Sequence, residues 1–243
     1  MNDNTLIAVS AYAGDLNQVE TLLPSYLHHG CPVLLLTPTD APIERVSHAS
    51  VKCRSVGLKG WVGPHTLVRH RLFLELMLRE SHQGWFLFHD SDSVCLCPRI
   101  PAYLYERPDV MWSNVVLDTN PGESALPKVA LQPPYFFSRF VLERMIEGCK
   151  NPAASYHCPT PHGPLPVPTE CIDHFILQIC ASAGIPCPNY INGASFRTES
   201  EGDLAVMADL VRRHGRVLIH SVKRPEAYYS LVAAHADCRR TYG

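Results

Sequence analysis

The chain has 243 residues, of which 46% are hydrophobic and 18% charged, with a formal net charge of −2. That balance excludes a disordered polyelectrolyte and a uniformly basic binder of polyanions. No apolar run approaches the ~20 residues of a membrane span, and the length suits one large α/β domain.

Taken in chain order, Leu6-Ile7-Ala8-Val9-Ser10 is short, apolar and bounded by polar residues, which predicts a buried first strand. Met1-Asn2-Asp3-Asn4 ahead of it carries no basic stretch, and Asp15 and Glu20 follow soon after. The apolar segment therefore reads as core, not as a cleaved signal. Leu16, Val19, Leu22, Leu23 and Leu27 predict a helix over 15–29 that Gly30 stops. A second buried strand is expected over 32–37 and an edge-like one over 50–56. An amphipathic helix over 64–80 follows, with Leu67, Leu72 and Leu76 toward the core. The run Gly84-Trp85-Phe86-Leu87-Phe88 is a strand leading into His89 and Asp90. Strand, helix, strand, strand, helix, strand argues a mostly parallel sheet flanked by helices, with a nucleotide-binding first half.

The second half is less regular. Residues 110–116 are strand-like, and 133–137 lead into a helix over 138–149 with Ser138 as its N-cap. Six prolines within 151–169 demand a loop, a helix over 170–183 ends at Gly184, and 215–220 form a last short strand. With no repeat and no clean linker, the expectation is a single domain over 1–243. Its halves are 1–100, ending in the acidic motif below, and 101–243. Residues 211–243 carry +5 and the remainder −7. That basic segment could meet phosphates, although Arg212, Arg213 and Arg216 read better as a solvated helix face. The ten cysteines show no paired spacing and no regular framework, which suits a reduced, cytoplasmic protein. The rival is a zinc site from His157, Cys158, His162 and Cys171, which lacks the usual ligand spacing.

Asp90-Ser91-Asp92 stands where the hydrophobic run stops. On an extended segment, carboxylates at i and i+2 point the same way. The carboxyl end of a buried strand is where open α/β sheets place ligands. Hard oxygen donors there suit a divalent cation that holds a diphosphate. The competing reading is a capped turn after a strand.

The order of these motifs resembles the GT-A class of nucleotide-sugar glycosyltransferases of the DxD type, over most of the chain. The resemblance rests on a hydrophobic strand ending in Asp90-Ser91-Asp92 and on the aromatic-Ser-Arg stretch Tyr135-Phe136-Phe137-Ser138-Arg139. It continues with an acidic position at Asp173, near Glu170, and ends with His220-Ser221-Val222-Lys223 after the terminal strand. It implies a GT-A-like α/β fold with an acceptor half over 101–243. It also implies metal ligands at Asp90, Asp92 and His220, and donor contacts from Tyr12, Asp15, Arg69, Asp90 and Lys223. Asp173 is then the catalytic carboxylate, with His174 as another base. A nitrogen ligand moves the preference from Mg²⁺ toward Mn²⁺, and Lys223 adds a cation at the diphosphate. Thr37 is a weaker candidate for the donor pocket. Trp61, Trp112, Asn114 and the loop over 151–169 are expected to shape the acceptor pocket. Each has a plain rival: Tyr12 as core, Arg69 or Arg71 as an exposed helical charge, His220 as a strand-end histidine. For Asp173 the rival is a carboxylate favoured by a helix dipole.

The function so implied is metal-dependent transfer of a sugar from a nucleoside diphosphate sugar, UDP-linked, to an acceptor hydroxyl. One acceptor class is a hydroxymethylated pyrimidine in DNA, as for similar small viral enzymes, which would place the protein in a host cytoplasm. No membrane partner is expected. A sugar nucleotidyltransferase would usually carry a Gly-rich loop after the first strand, and Ala11-Tyr12-Ala13-Gly14-Asp15 has one glycine. A non-catalytic nucleotide-sugar binding module is the third reading, and it predicts donor binding that survives metal removal.

Overall fold

The computed structural model describes residues 4–39, 41–42, 46–57, 66–118, 128–150, 157–158, 165–166, 172–195 and 201–242. The first strand, β1 (Thr5–Ser10), is buried along its whole length. Alternate side chains supply opposite faces: Ile7 and Val9 join one apolar cluster, Leu6 and Ala8 the other. Helix α1 (Leu16–Leu27) follows. Gly30 then takes φ +68°, a conformation that glycine alone adopts without a Cβ penalty, and the chain turns into β2 (Val33–Thr37). Strand β3 (Val51–Ser55) forms the edge, where Lys52 and Arg54 discourage further pairing. Helix α2 (Thr66–Glu80) crosses back, and β4 (Trp85–Asp90) pairs parallel with the other side of β1. Strand order therefore reverses between β1 and β4, the position where such sheets open a ligand crevice.

After β4 come β5 (Ser93–Cys95), β6 (Met111–Asp118) and β7 (Lys128–Ser138). The six-stranded sheet runs β3-β2-β1-β4-β7-β6, with β7 antiparallel to both neighbours. The expected mostly parallel sheet is thus present, with a mixed edge. One expectation is corrected: 133–137 are not a lead-in to a helix but lie inside the 11-residue β7. Consecutive prolines cannot donate ladder hydrogen bonds, which is why the sequence argues against a strand there. The sheet accommodates them where its register shifts between Trp112 and Asn114, and Asn114 Nδ2 donates to the Pro133 carbonyl at 3.1 Å. Cross-strand aromatic pairs, Phe86 with Phe137 and Phe88 with Tyr135, fasten β4 to β7. Ser138 caps α3 (Arg139–Lys150), its Oγ accepting from Val141 N at 3.2 Å.

The chain continues through the short pair β8 (His157–Cys158) and β9 (Leu165–Pro166), then α4 (Ile172–Ser182). Next come β10 (Gly193–Ser195), α5 (Glu201–His214), β11 (Leu218–His220) and α6 (Pro225–Tyr242). The sequence reading had no helix at α6, only a basic segment. Helices α2, α3 and α4 cover one face of the large sheet. Helices α1, α5 and α6 cover the other, together with a second sheet ordered β10-β11-β5. Among the described residues no helix is long and apolar enough to cross a membrane. Cys31, Cys53, Cys95, Cys97, Cys149, Cys180 and Cys187 are free thiols, and Cys31, Cys95, Cys149 and Cys180 pack as small apolar groups.

Glu80 ties the end of α2 to β3. Its carboxylate pairs with Lys52 Nζ and, at 3.0 Å, with Arg54 Nε. Those bonds lower its pKa to about 2. A depressed folded pKa contributes stability above the ordinary carboxylate range and loses it as pH falls through the folded value. The native chain is therefore expected to resist urea better than Glu80→Gln at neutral pH. The gap should close as pH approaches 2, read as denaturation midpoints across a pH series.

Candidate functional site

The carboxyl ends of β1, β2 and β4 lie on one rim. Parallel register sets Ser10 beside Asp90, and Ser10 Oγ donates to Asp90 Oδ1 at 2.8 Å. Past β1 the chain makes a short 3-10 turn over Ala13–Asp15, where Asp15 N donates to the Tyr12 carbonyl at 2.9 Å. Asp15 Oδ2 accepts from Ser91 Oγ at 2.6 Å, which ties the start of α1 to the acidic motif. The Tyr12 ring is 37% exposed and its hydroxyl also bonds to Asp15. Burial, and then the Asp15 charge, push the Tyr12 phenol up. Burial likewise raises Asp15, and the nearby Asp92 carboxylate adds to this against the Ser91 bond.

Asp92 is placed differently from the expectation. Strand β4 ends at Asp90, and Ser91 and Asp92 form a turn, so the two carboxylates do not project from one continuing strand. Asp92 is only 6% exposed. The antiparallel pairing of β5 with β11 sets His220 opposite Ser93 and carries the chain after β11 past Asp92. Val222 N donates to the Asp92 carbonyl at 2.6 Å. Ser221 Oγ donates to Oδ2 at 3.0 Å, Lys223 Nζ pairs with that same oxygen, and His220 Nε2 lies 3.3 Å from Oδ1. Burial by itself would raise the Asp92 pKa, but His220 and Lys223 hold the carboxyl well below its usual range. For Lys223, burial disfavours the charge. The Asp92 carboxylate, with Asp90 and Asp15 beyond it, nevertheless holds the ammonium above its ordinary value. Tyr12, Asp15, Asp90, Asp92, His220 and Lys223 thus share one electrostatic neighbourhood.

Of the two candidate arginines on α2, Arg71 is a partly exposed helical charge, bonded to Glu75 at 2.7 Å, whereas Arg69 is buried. Thr37, ending β2, is fully buried, and its hydroxyl has no hydrogen-bond partner among the described residues. Trp112 packs edge-on against Tyr103 at 5.3 Å. Asn114 is buried, its amide donating to carbonyls of Pro133 and Leu218, so it braces β6 against β7 and β11. Asp173 lies in the first turn of α4, but its side chain and that of His174 are outside the described ones. Trp61, His162, Glu170, Cys171 and most of the loop over 151–169 also lie outside the described residues. The sequence reading did not single out Ser10, Ser91, Ser221, Gln132 or Ser195. Ser91 and Ser221 sit inside the two motifs, a signal that was available. Gln132 and Ser195 have no such signal, because strand packing alone brings them to His220.

The donor set limits what could bind here. Among the described residues no three His, Cys, Asp or Glu side chains converge into a closed metal cage. Asp92 Oδ1 and His220 Nε2 lie 3.3 Å apart. Neighbouring ligands of an octahedral cation bound at ~2.1 Å are separated by about 3 Å, so this pair fits such an ion. Two protein donors suit a cation that keeps its remaining positions for water and phosphate oxygens. Asp92 and His220 thus offer two donors at a spacing an octahedral cation accepts, fewer than a structural metal site uses.

No family model matches this chain, and no curated protein does. Among solved structures the chain is similar to the glycosyltransferase GlyE from Streptococcus pneumoniae TIGR4, at 10% identity and a TM-score of 0.48, over 97% of this chain and 63% of that one. The apo form of GlyE gives a TM-score of 0.49 at 10% identity, over 99% and 63% of the two chains. A nucleotidyl transferase from Methanothermobacter gives 0.44 at 10% identity, over 98% of each chain. This chain spans less than two-thirds of the GlyE chain. Likeness at this level assigns neither an activity nor a role to any residue.

Proposed function

We propose that this chain is a cation-dependent glycosyltransferase, moving a sugar from a nucleoside diphosphate sugar, UDP-linked, to an acceptor hydroxyl. One observation carries the reading. At the point where strand order reverses, a buried carboxylate, Asp92, is gripped by His220, Ser221 and Lys223 from beyond a strand remote in sequence. Such a cluster sets a carboxylate, a ring nitrogen and an ammonium side by side at the crevice, groups that with a bound cation would stabilise a departing diphosphate. A Mn²⁺ or Mg²⁺ ion held by Asp92 and His220, with Asp90 nearby, would act as a Lewis acid on that diphosphate. Lys223 supplies a second positive charge, half exposed and able to reach a phosphate. Tyr12 offers a ring face for the base, while Asp15, Asp90 and Arg69 bind donor hydroxyls or phosphates. Asp173 takes the acceptor proton as general base. All of 1–243 acts as one domain, with 1–100 binding nucleotide and 101–243 receiving the acceptor.

The segment after β1 favours glycosyl over nucleotidyl transfer. The turn holds one glycine, Gly14, which does not take a positive φ, and Asp15 N donates to the Tyr12 carbonyl, so the segment is not a Gly-rich phosphate loop.

Thermal shift with UDP-, GDP-, CDP- and dTDP-sugars, each with and without Mn²⁺, tests the reading. A rise requiring both Mn²⁺ and the UDP-sugar is expected, equivalent to about 2.7 kcal/mol when ligand reaches 100 times Kd. A rise independent of metal favours a binding module, and no rise with any donor removes the proposal. Incubating labelled donor with hydroxymethylated and with plain DNA tests the DNA acceptor; equal labelling of both discards it.

A further inference from the structure

Helix α1 touches both of the motifs that meet at the crevice. Its N-cap residue, Asp15, accepts from Ser91 Oγ at 2.6 Å, which holds the acidic turn. Gln18 stands about one helical turn further along. It reaches the chain beyond β11, where its Nε2 donates to the Val222 carbonyl. Val222 is thereby pinned at both of its main-chain groups, since its N–H donates to the Asp92 carbonyl at 2.6 Å. Its side chain is fully buried in the apolar cluster that α1 and α6 share. Held at those points, the residue cannot swing, and its two neighbours are aimed with it. Ser221 Oγ and Lys223 Nζ both end on Asp92 Oδ2.

We propose that Gln18 is a positioning residue that fixes the Ser221-Val222-Lys223 segment, so that the Lys223 ammonium stands where the diphosphate of a nucleotide donor lies. The inference rests on the proposed donor site and adds a residue that prepares it. Gln18 touches neither the donor nor the cation; it acts through the Val222 carbonyl. A lysine has particular need of such support. Its ammonium is a compact charge on a flexible four-carbon stem, and the Lys223 side chain is 49% exposed. Asp92 holds the tip of that stem, while the backbone alone sets where it begins. No motif points to Gln18, which lies 204 residues from Val222 in the chain. Only the packing of α1 against the segment between β11 and α6 brings the two together.

The test uses the full chain with UDP in the presence of Mn²⁺, and with uridine, which has no phosphate. Calorimetry should find UDP binding weakened about 3–10-fold in Gln18→Leu, the effect of one lost hydrogen bond, with uridine binding unchanged. Lys223→Met should weaken UDP by about 10–100-fold, as for a charged partner. Adding Gln18→Leu to Lys223→Met should then cost nothing more. Hydrogen exchange followed by NMR gives a second measure that needs no nucleotide. Relative to the amides of β1, the Val222 amide should exchange about 3–10-fold faster in Gln18→Leu. Gln18→Met, an unbranched helix former without a donor, takes its place if Gln18→Leu folds poorly. Equal weakening of UDP and uridine would mean that Gln18 only supports the fold, and it overturns the inference. Additive losses in the double variant overturn it too. Unchanged UDP affinity in folded Gln18→Leu, where the native protein binds UDP, overturns it while leaving the proposed function standing. A native protein that binds no UDP sinks the proposed function instead. Exchange at Val222 then decides alone: faster in the variant upholds the positioning, and unchanged overturns it.

Discussion

Asp92→Asn is expected to abolish the Mn²⁺-dependent stabilisation by donor and to lower kcat/KM by about 10³-fold. The substitution keeps the size of the side chain but removes the charge that three neighbours share. Oδ1 loses its anionic partnership with His220 Nε2, and the oxygen facing Ser221 and Lys223 can no longer neutralise the ammonium. Both the proposed cation ligand and the partner of Lys223 are lost together. Stability should fall as well, by about 1–3 kcal/mol, because Asp92 is buried and its donors are left unpaired. The cost stays below that of breaking a fully buried ion pair because the Lys223 side chain is 49% exposed. Since the folded Asp92 pKa is depressed, its stabilisation is present above the ordinary carboxylate range and fades as pH drops below it. Urea denaturation and donor titration on one preparation separate the two effects. A folded Asp92→Asn that keeps its Mn²⁺-dependent shift would remove the cation from this site.

The second large effect is expected at Asp173. Asp173→Asn should leave the donor and Mn²⁺ response intact while kcat falls by 10²–10⁴, roughly the contribution of a positioned general base. The asparagine is nearly isosteric and suits the first turn of α4, so folding should be little affected. This pattern, binding kept and turnover lost, is the reverse of the Asp92→Asn pattern. It separates a base from a donor ligand without reference to stability. Near-normal turnover would show that Asp173 does not take the acceptor proton, and His174 would be the next side chain to replace. The anomeric configuration of the product, read by NMR, then distinguishes inversion from retention.

Much of the first half was legible before any coordinates. The strands over 5–10, 33–37 and 85–90 are buried on both faces, so they read as unbroken apolar runs flanked by polar residues. Helices α1 and α2 carry apolar stripes at helical spacing, and Gly30 and Gly184 mark reversals by their positive φ. These signals are local, and each element announces itself within a few residues of its own chain. Strand β7 was not legible because its middle holds two prolines, whose missing N–H groups are tolerated only where the partner strand shifts register. Helix α6 was obscured by its charges, since its apolar face is visible only through what Ala227, Leu231 and Ala234 pack against.

By itself the sequence determined the α/β class and the parallel strands of the first half, because periodicity is a property of the chain alone, while the candidate roles of Asp90, Asp92, His220 and Lys223 came from a resemblance in motif order. Only the tertiary structure decided that Asp92 leaves its strand in a turn, and that His220 and Lys223 meet its two oxygens. It also decided that Gln132 and Ser195 stand behind the histidine. Those contacts depend on the register of β5 against β11 and on the packing of one sheet against another. Such packing is set by the fit of distant apolar surfaces, and no short stretch of sequence encodes it.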